Sequence, residues 1–119
     1  METEKLMDRI DLILKTSKAG TMSTSVNNTV SEYMNFYIRD YALFTETEKD
    51  SPILQGIKEN PLVYITLGGH ADAADQLEVI GEIEVVTDRD IIDWLAQQKG
   101  PLTVATDMVM ALKVKLVGE

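Results

Sequence analysis

The chain has no cysteine, one histidine, three prolines and seven glycines among its 119 residues. Without cysteine there are no disulfides, thiolate metal ligands or cysteine nucleophiles, and a reducing cytoplasm is the expected compartment. The single histidine, His70, sits in a Gly-Gly-His-Ala-Asp stretch with Asp72 and Asp75 close by. One histidine among acids is too sparse for a metal centre, so no metal is expected, and no nucleophile–base–orienter triad can be assembled. Basic residues are also scarce: 11 Lys and Arg face 20 Asp and Glu, a formal net charge of -9. That balance opposes a nucleic-acid surface, which needs clustered cations, and mildly opposes polyanionic ligands. No apolar run approaches the roughly 20 residues of a membrane helix. The start, with Glu2, Glu4 and Lys5, lacks the basic-then-apolar order of a secretory leader. Phosphate-binding and dinucleotide-binding glycine loops are missing too. The expectation is a soluble, cytoplasmic, single domain over residues 1–119, in which any catalysis would be carried by a bound cofactor.

What is present reads as alternating elements. Leu6, Ile10, Ile13 and Leu14 recur at helical spacing between Glu4 and Lys18. Strands are expected over 21–26, 29–38 and 41–45, with turns at Asn27-Asn28 and Arg39-Asp40. Ser51-Pro52 is a helix start, because Ser accepts from free backbone amides and Pro suits the first helical position; Asn60-Pro61 ends that helix. A strand over 62–67 precedes a loop over 68–76. From Leu77 to Val86 the chain alternates, with Val79, Gly81, Ile83 and Val85 on one face and Glu78, Glu82 and Glu84 on the other. Thr87 and Asp90 form a capping-box pattern for a helix that buries Ile91, Ile92 and Leu95, with Trp94 off that stripe. A last strand over 108–117 turns Lys113 and Lys115 outward, where they would face the glutamates if the two strands pair. The order α-β-β-β-α-β-β-α-β predicts a mainly β (α+β) fold, a six-stranded small barrel with peripheral helices.

The succession of GTMSTS, YMNFYIRDYALFTETEKDSP, IKENPLVYITL and VIGEIEVVTDRD resembles the pyridoxamine 5'-phosphate oxidase-like split barrels, and within them the short general stress protein type. The resemblance covers about residues 5 to 95, with Asn60-Pro61 before a strand and Gly81 inside one as its clearest marks. It implies a split β-barrel homodimer with FMN at the subunit interface and flavin-borne oxidoreductase chemistry on a small molecule. The family's two basic phosphate contacts, an Arg and a Lys, fall at Glu32 and Ile53 of this chain. Both are departures, and the first reverses the charge. Thr45 and Ser51 match hydroxyl positions that contact the phosphate, Lys49 lies where it could supply a displaced cation, and Met34 and Asn35 fall along the flavin ring. The implied cofactor-binding set is therefore Glu32, Met34, Asn35, Thr45, Lys49, Ser51 and Ile53, with no catalytic residue assigned. The departures at Glu32 and Ile53 open a second reading: a flavin-free dimer that kept the barrel as a ligand-binding or regulatory protein. A third reading, haem or a deazaflavin, would turn for haem to His70 as the axial residue. Glu32 itself shares a strand face with Val30, Met34, Phe36 and Ile38, a charge among apolar neighbours.

Overall fold

The computed structural model describes residues 2–16, 19–24, 31–40, 42–68, 76–100 and 108–118. Along the chain these form α1 (Glu2–Thr16), β1 (Ala19–Thr24), β2 (Ser31–Asn35), β3 (Tyr37–Arg39) and β4 (Ala42–Glu48). They continue with α2 (Pro52–Glu59), β5 (Leu62–Gly68), β6 (Gln76–Val85), α3 (Arg89–Gln97) and β7 (Val109–Gly118). The seven strands make one antiparallel sheet in the order β2-β1-β5-β6-β7-β4-β3.

That order carries the shape. β2 and β3 are the two outer strands of the sheet, yet only Phe36 separates them in sequence. Consecutive Cα atoms lie about 3.8 Å apart, so the sheet has to curl until its edges meet. The expected single strand over 29–38 is thus two, and the six-stranded expectation becomes seven. Residues 31–35 pair with β1, and residues 37–39 pair with β4. Alternation alone does not register a change of partner in mid-run.

Local signals explain the rest. Ser51 caps α2 by accepting from the Ile53 amide at 3.4 Å, with Pro52 at the first position. At the other end the Asn60 amide donates to the Gly56 carbonyl, and its side chain accepts from the Leu62 amide at 3.1 Å. The cap of α3 is Asp88, which accepts from the Asp90 amide at 2.9 Å, one residue later than the Thr87 expectation. In the β3–β4 turn Asp40 adopts φ 51°, the left-handed region that Asp tolerates better than most residues. β6 and β7 do pair, with Glu82 opposite Lys115 and Glu84 opposite Lys113.

The main core lies inside the curl, where α1 and α2 add Ile10, Leu14, Ile53 and Leu54 to strand residues such as Met22, Ile65, Val79 and Val114. A smaller cluster forms where α3 covers β4. There the Trp94 ring meets Phe44 and Tyr37 edge-on at 5.7 and 6.4 Å between centroids, with the Arg39 guanidinium 5.3 Å from its centre. Trp94 is therefore a packing anchor, only partly buried.

Gly81 sits at a register shift of β6, where a Cβ would lie 2.4 Å from Val114 Cγ1. Val114 is itself 1% exposed and has nowhere to move. Gly81→Ala is expected to lose about 1–3 kcal/mol of unfolding free energy in urea titration, as overpacking does in close-packed cores. A loss within error would mean that the bulge absorbs a methyl group freely.

Candidate functional site

A groove of about 770 Å³ opens where the curled sheet fails to close, between β2, β4 and the start of α2. β2 lines it with Glu32, Tyr33, Met34 and Asn35, β4 with Glu46, Thr47 and Glu48, and the turn into α2 with Asp50, Ser51 and Pro52. Lys99, just beyond α3, reaches in from the far side.

β2 and β4 are not ladder neighbours, so side chains bridge the gap between them. Thr45 is fully buried, and its hydroxyl donates to the Asn35 carbonyl at 2.6 Å. Two residues on, on the same side of β4, the Thr47 hydroxyl donates to Glu32 Oε1 at 2.5 Å. The Ser51 hydroxyl donates to the other oxygen, Glu32 Oε2. One carboxylate thus takes both hydroxyl protons at the mouth of α2. Hydrogen bonds to a charged acceptor contribute about 1.5–3 kcal/mol each, against about 1 for a neutral pair. Charge in the groove is lopsided. Among the described residues four carboxylates line it, against the ammonium of Lys99, which lies 2.7 Å from Glu46 Oε1. That Glu46 side chain is only 9% exposed, so Lys99 serves it as the counter-charge of a nearly buried acid.

Of the seven residues singled out in the sequence, Glu32, Met34, Asn35 and Ser51 line the groove. The other three do not. Thr45 lies behind the surface with its proton given to the backbone, Ile53 is fully buried in the main core, and Lys49 is exposed outside the lining. Thr47 and Lys99 line the groove as well, and neither belongs to those seven. Thr47 was legible in principle, since it shares strand parity with Thr45 and β4 runs on to Glu48. Lys99 carries no local signal, because α3 brings it to β4 from half the chain away. His70, Asp72 and Asp75 lie outside the described residues, as do Val30 and the Asn27-Asn28 turn. No group of three or more metal-ligating side chains occurs among the described residues.

The donors expected to hold an FMN phosphate do not fit that group as they stand. A hydroxyl has one proton to give, and the protons of Thr45, Thr47 and Ser51 are all directed to acceptors within the chain. The cationic positions are a carboxylate and a core isoleucine.

No family model matches the chain, and no curated protein matches it. Solved structures do. A candidate pyridoxamine 5'-phosphate oxidase of Listeria innocua aligns over 96% of this chain and 94% of its own, at 23% identity and a TM-score of 0.76. General Stress Protein 26 of Bacillus anthracis aligns over 93% and 88%, at 24% identity and a TM-score of 0.74. HutZ, the haem storage protein of Vibrio cholerae, aligns over 92% and 89%, at 12% identity and a TM-score of 0.73. Proteins named for different ligands share this architecture, so the fold alone does not name the occupant of the groove. Among the described residues no helix is long and apolar enough to cross a membrane. The chain has the fold of the pyridoxamine 5'-phosphate oxidase-like split barrels, in the size range of the general stress protein 26 structures.

Proposed function

We propose that this protein is a split-barrel homodimer that binds a small molecule in the groove between β2, β4 and α2 without an FMN phosphate anchor. The observation that carries the reading is Glu32, whose carboxylate accepts from both Thr47 and Ser51 at the N-terminus of α2. A phosphate at that place would compete for two committed protons and meet a like charge. The pairing is what the resemblance to the split barrels implies. On the outer face of the sheet Tyr64, 44% exposed, stands opposite Ile80 of β6, a small apolar spot flanked by Glu78 and Glu82.

A rival reading, an FMN-dependent oxidoreductase of cytoplasmic location, draws on one specific feature. The Ser51 hydroxyl still sits at a helix N-terminus, where amides and dipole favour an anion, with the Thr47 hydroxyl reaching the same place from β4. In that reading the flavin supplies the electron transfer and the chain only binds and orients it.

The two separate by absorption between about 300 and 550 nm, where bound flavin shows its bands, followed by titration with FMN. The purified protein is expected to show no flavin bands, and added FMN to bind weaker than about 1 µM, short of about 8 kcal/mol of binding free energy. Stoichiometric flavin, or tighter binding, would replace the first reading by the second.

A further inference from the structure

The floor of the groove already holds an anion, and it belongs to the chain. Glu32 reaches it from β2, while the donors that meet it come from β4 and from the cap of α2. The arrangement is directional. Ser51 Oγ accepts from the Ile53 amide, so its single proton is left for Glu32 Oε2, and Thr47 gives its proton to Oε1. Each carboxylate oxygen therefore has its own hydroxyl, in the pattern with which hydroxyls meet two oxygens of an oxyanion. The dipole of α2, an eight-residue helix without an acidic residue in its first turn, favours negative charge at the same point. A surface glutamate held only by solvent would not draw one donor from a neighbouring strand and another from a helix cap.

We infer that Glu32 is a built-in occupant of an anion subsite, and thereby the residue that restricts the groove to ligands whose end beside α2 is uncharged or cationic. The ligand itself rests on the reading of this groove as a binding site; the occupancy of the subsite does not, and is tested without any organic ligand. While Glu32 is in place, a phosphate or carboxylate group meets spent donors and a fixed like charge. The nearest lining ammonium, Lys99, is already taken up by Glu46 at 2.7 Å. With Glu32 shortened, the same two hydroxyls face an empty, positively polarised end of α2. With arginine in its place, they face a fork that matches phosphate in charge and geometry.

The probe is inorganic phosphate, titrated at constant ionic strength against the full-length wild-type chain, Glu32→Ala and Glu32→Arg. Binding is read by phosphorus NMR line broadening and by the shift in thermal midpoint, with circular dichroism as the check on folding. The wild type is expected to show no saturable response. Both variants are expected to saturate, Glu32→Arg at least about tenfold tighter than Glu32→Ala. Adding Ser51→Ala to Glu32→Ala should erase its response. Should the shorter side chain loosen the fold, Glu32→Gln keeps the shape while removing the charge, and should still respond where the wild type does not. Saturable phosphate binding by the wild type at the strength of the variants would overturn the inference, as would folded variants that fail to bind phosphate. A wild type that binds FMN but not phosphate would sink the flavin-free reading and leave the role of Glu32 standing.

Discussion

Phe36→Ala is expected to lose about 3–5 kcal/mol of stability, the range for removing a buried aromatic ring. The corresponding fall in thermal midpoint is roughly 10–20 °C for a domain of this size. The position is why the upper part of that range applies. Phe36 is the residue at which the chain leaves one edge of the sheet for the other, and its side chain is fully buried. Its ring fills the place that Gly20 leaves on β1. A Cβ at Gly20 would lie 2.9 Å from Phe36 Cε2 and 2.7 Å from Leu67 Cδ2. The hole left by alanine would open beneath the seam between β2 and β4, where no ladder joins the two strands and the hydroxyls of Thr45 and Thr47 reach across, with Ser51 meeting Glu32 from the cap of α2. Denaturant unfolding of variant and wild type, with matching slopes to confirm that the unfolding transition is comparable, measures the difference. A loss below about 1 kcal/mol would show that neighbouring side chains collapse into the space and that the seam does not depend on the ring.

The same seam marks where sequence reasoning stops. Elements that depend on neighbours in the chain were legible: the Ser51-Pro52 start of α2, its end at Asn60, the alternation of β6, and the glycine in that strand. Thr87 and Asp88 are both good caps, and only the backbone shows that Asp88 is the one that holds the start of α3. The division of 29–38 into β2 and β3 was not legible, since a change of pairing partner leaves the period of the strand untouched. The site follows the same rule. Glu32 stood out as a charge on an apolar face beside Met34 and Phe36, but the destination of its carboxylate depends on β4, fifteen residues away and held by β7. Lys49 looked the natural cation by proximity in sequence, yet the ammonium in the groove is that of Lys99, delivered by the packing of Trp94 on Phe44.

Glu32→Arg should bind FMN about a hundredfold more tightly than the wild-type chain, read as a ratio of Kd values from flavin fluorescence quenching. Two effects add. Two unit charges about 4 Å apart at a partly exposed site interact by roughly 4 kcal/mol before screening, and Glu32 is only half-buried, so a fraction of that survives. A charge-assisted hydrogen bond from the new guanidinium contributes about 1.5–3 kcal/mol. Loss of the carboxylate also returns the protons of Thr47 and Ser51 to the ligand. Against these stands the cost of re-forming the β2–β4 bridge without its acceptor, so a net of about 3 kcal/mol, close to a hundredfold, is the expected balance. Restoring the second basic position is not a clean addition, because Ile53 is fully buried and a lysine there would remove core packing while asking the core to accommodate a charge. Riboflavin supplies the control: it lacks the phosphate, so its affinity should change by less than about threefold between the two proteins. Equal gains for riboflavin and FMN would place the effect in the groove's general shape and remove the phosphate from the account. A gain confined to FMN would mean that the charge at Glu32 acts on the phosphate itself, through the donors of Thr47 and Ser51.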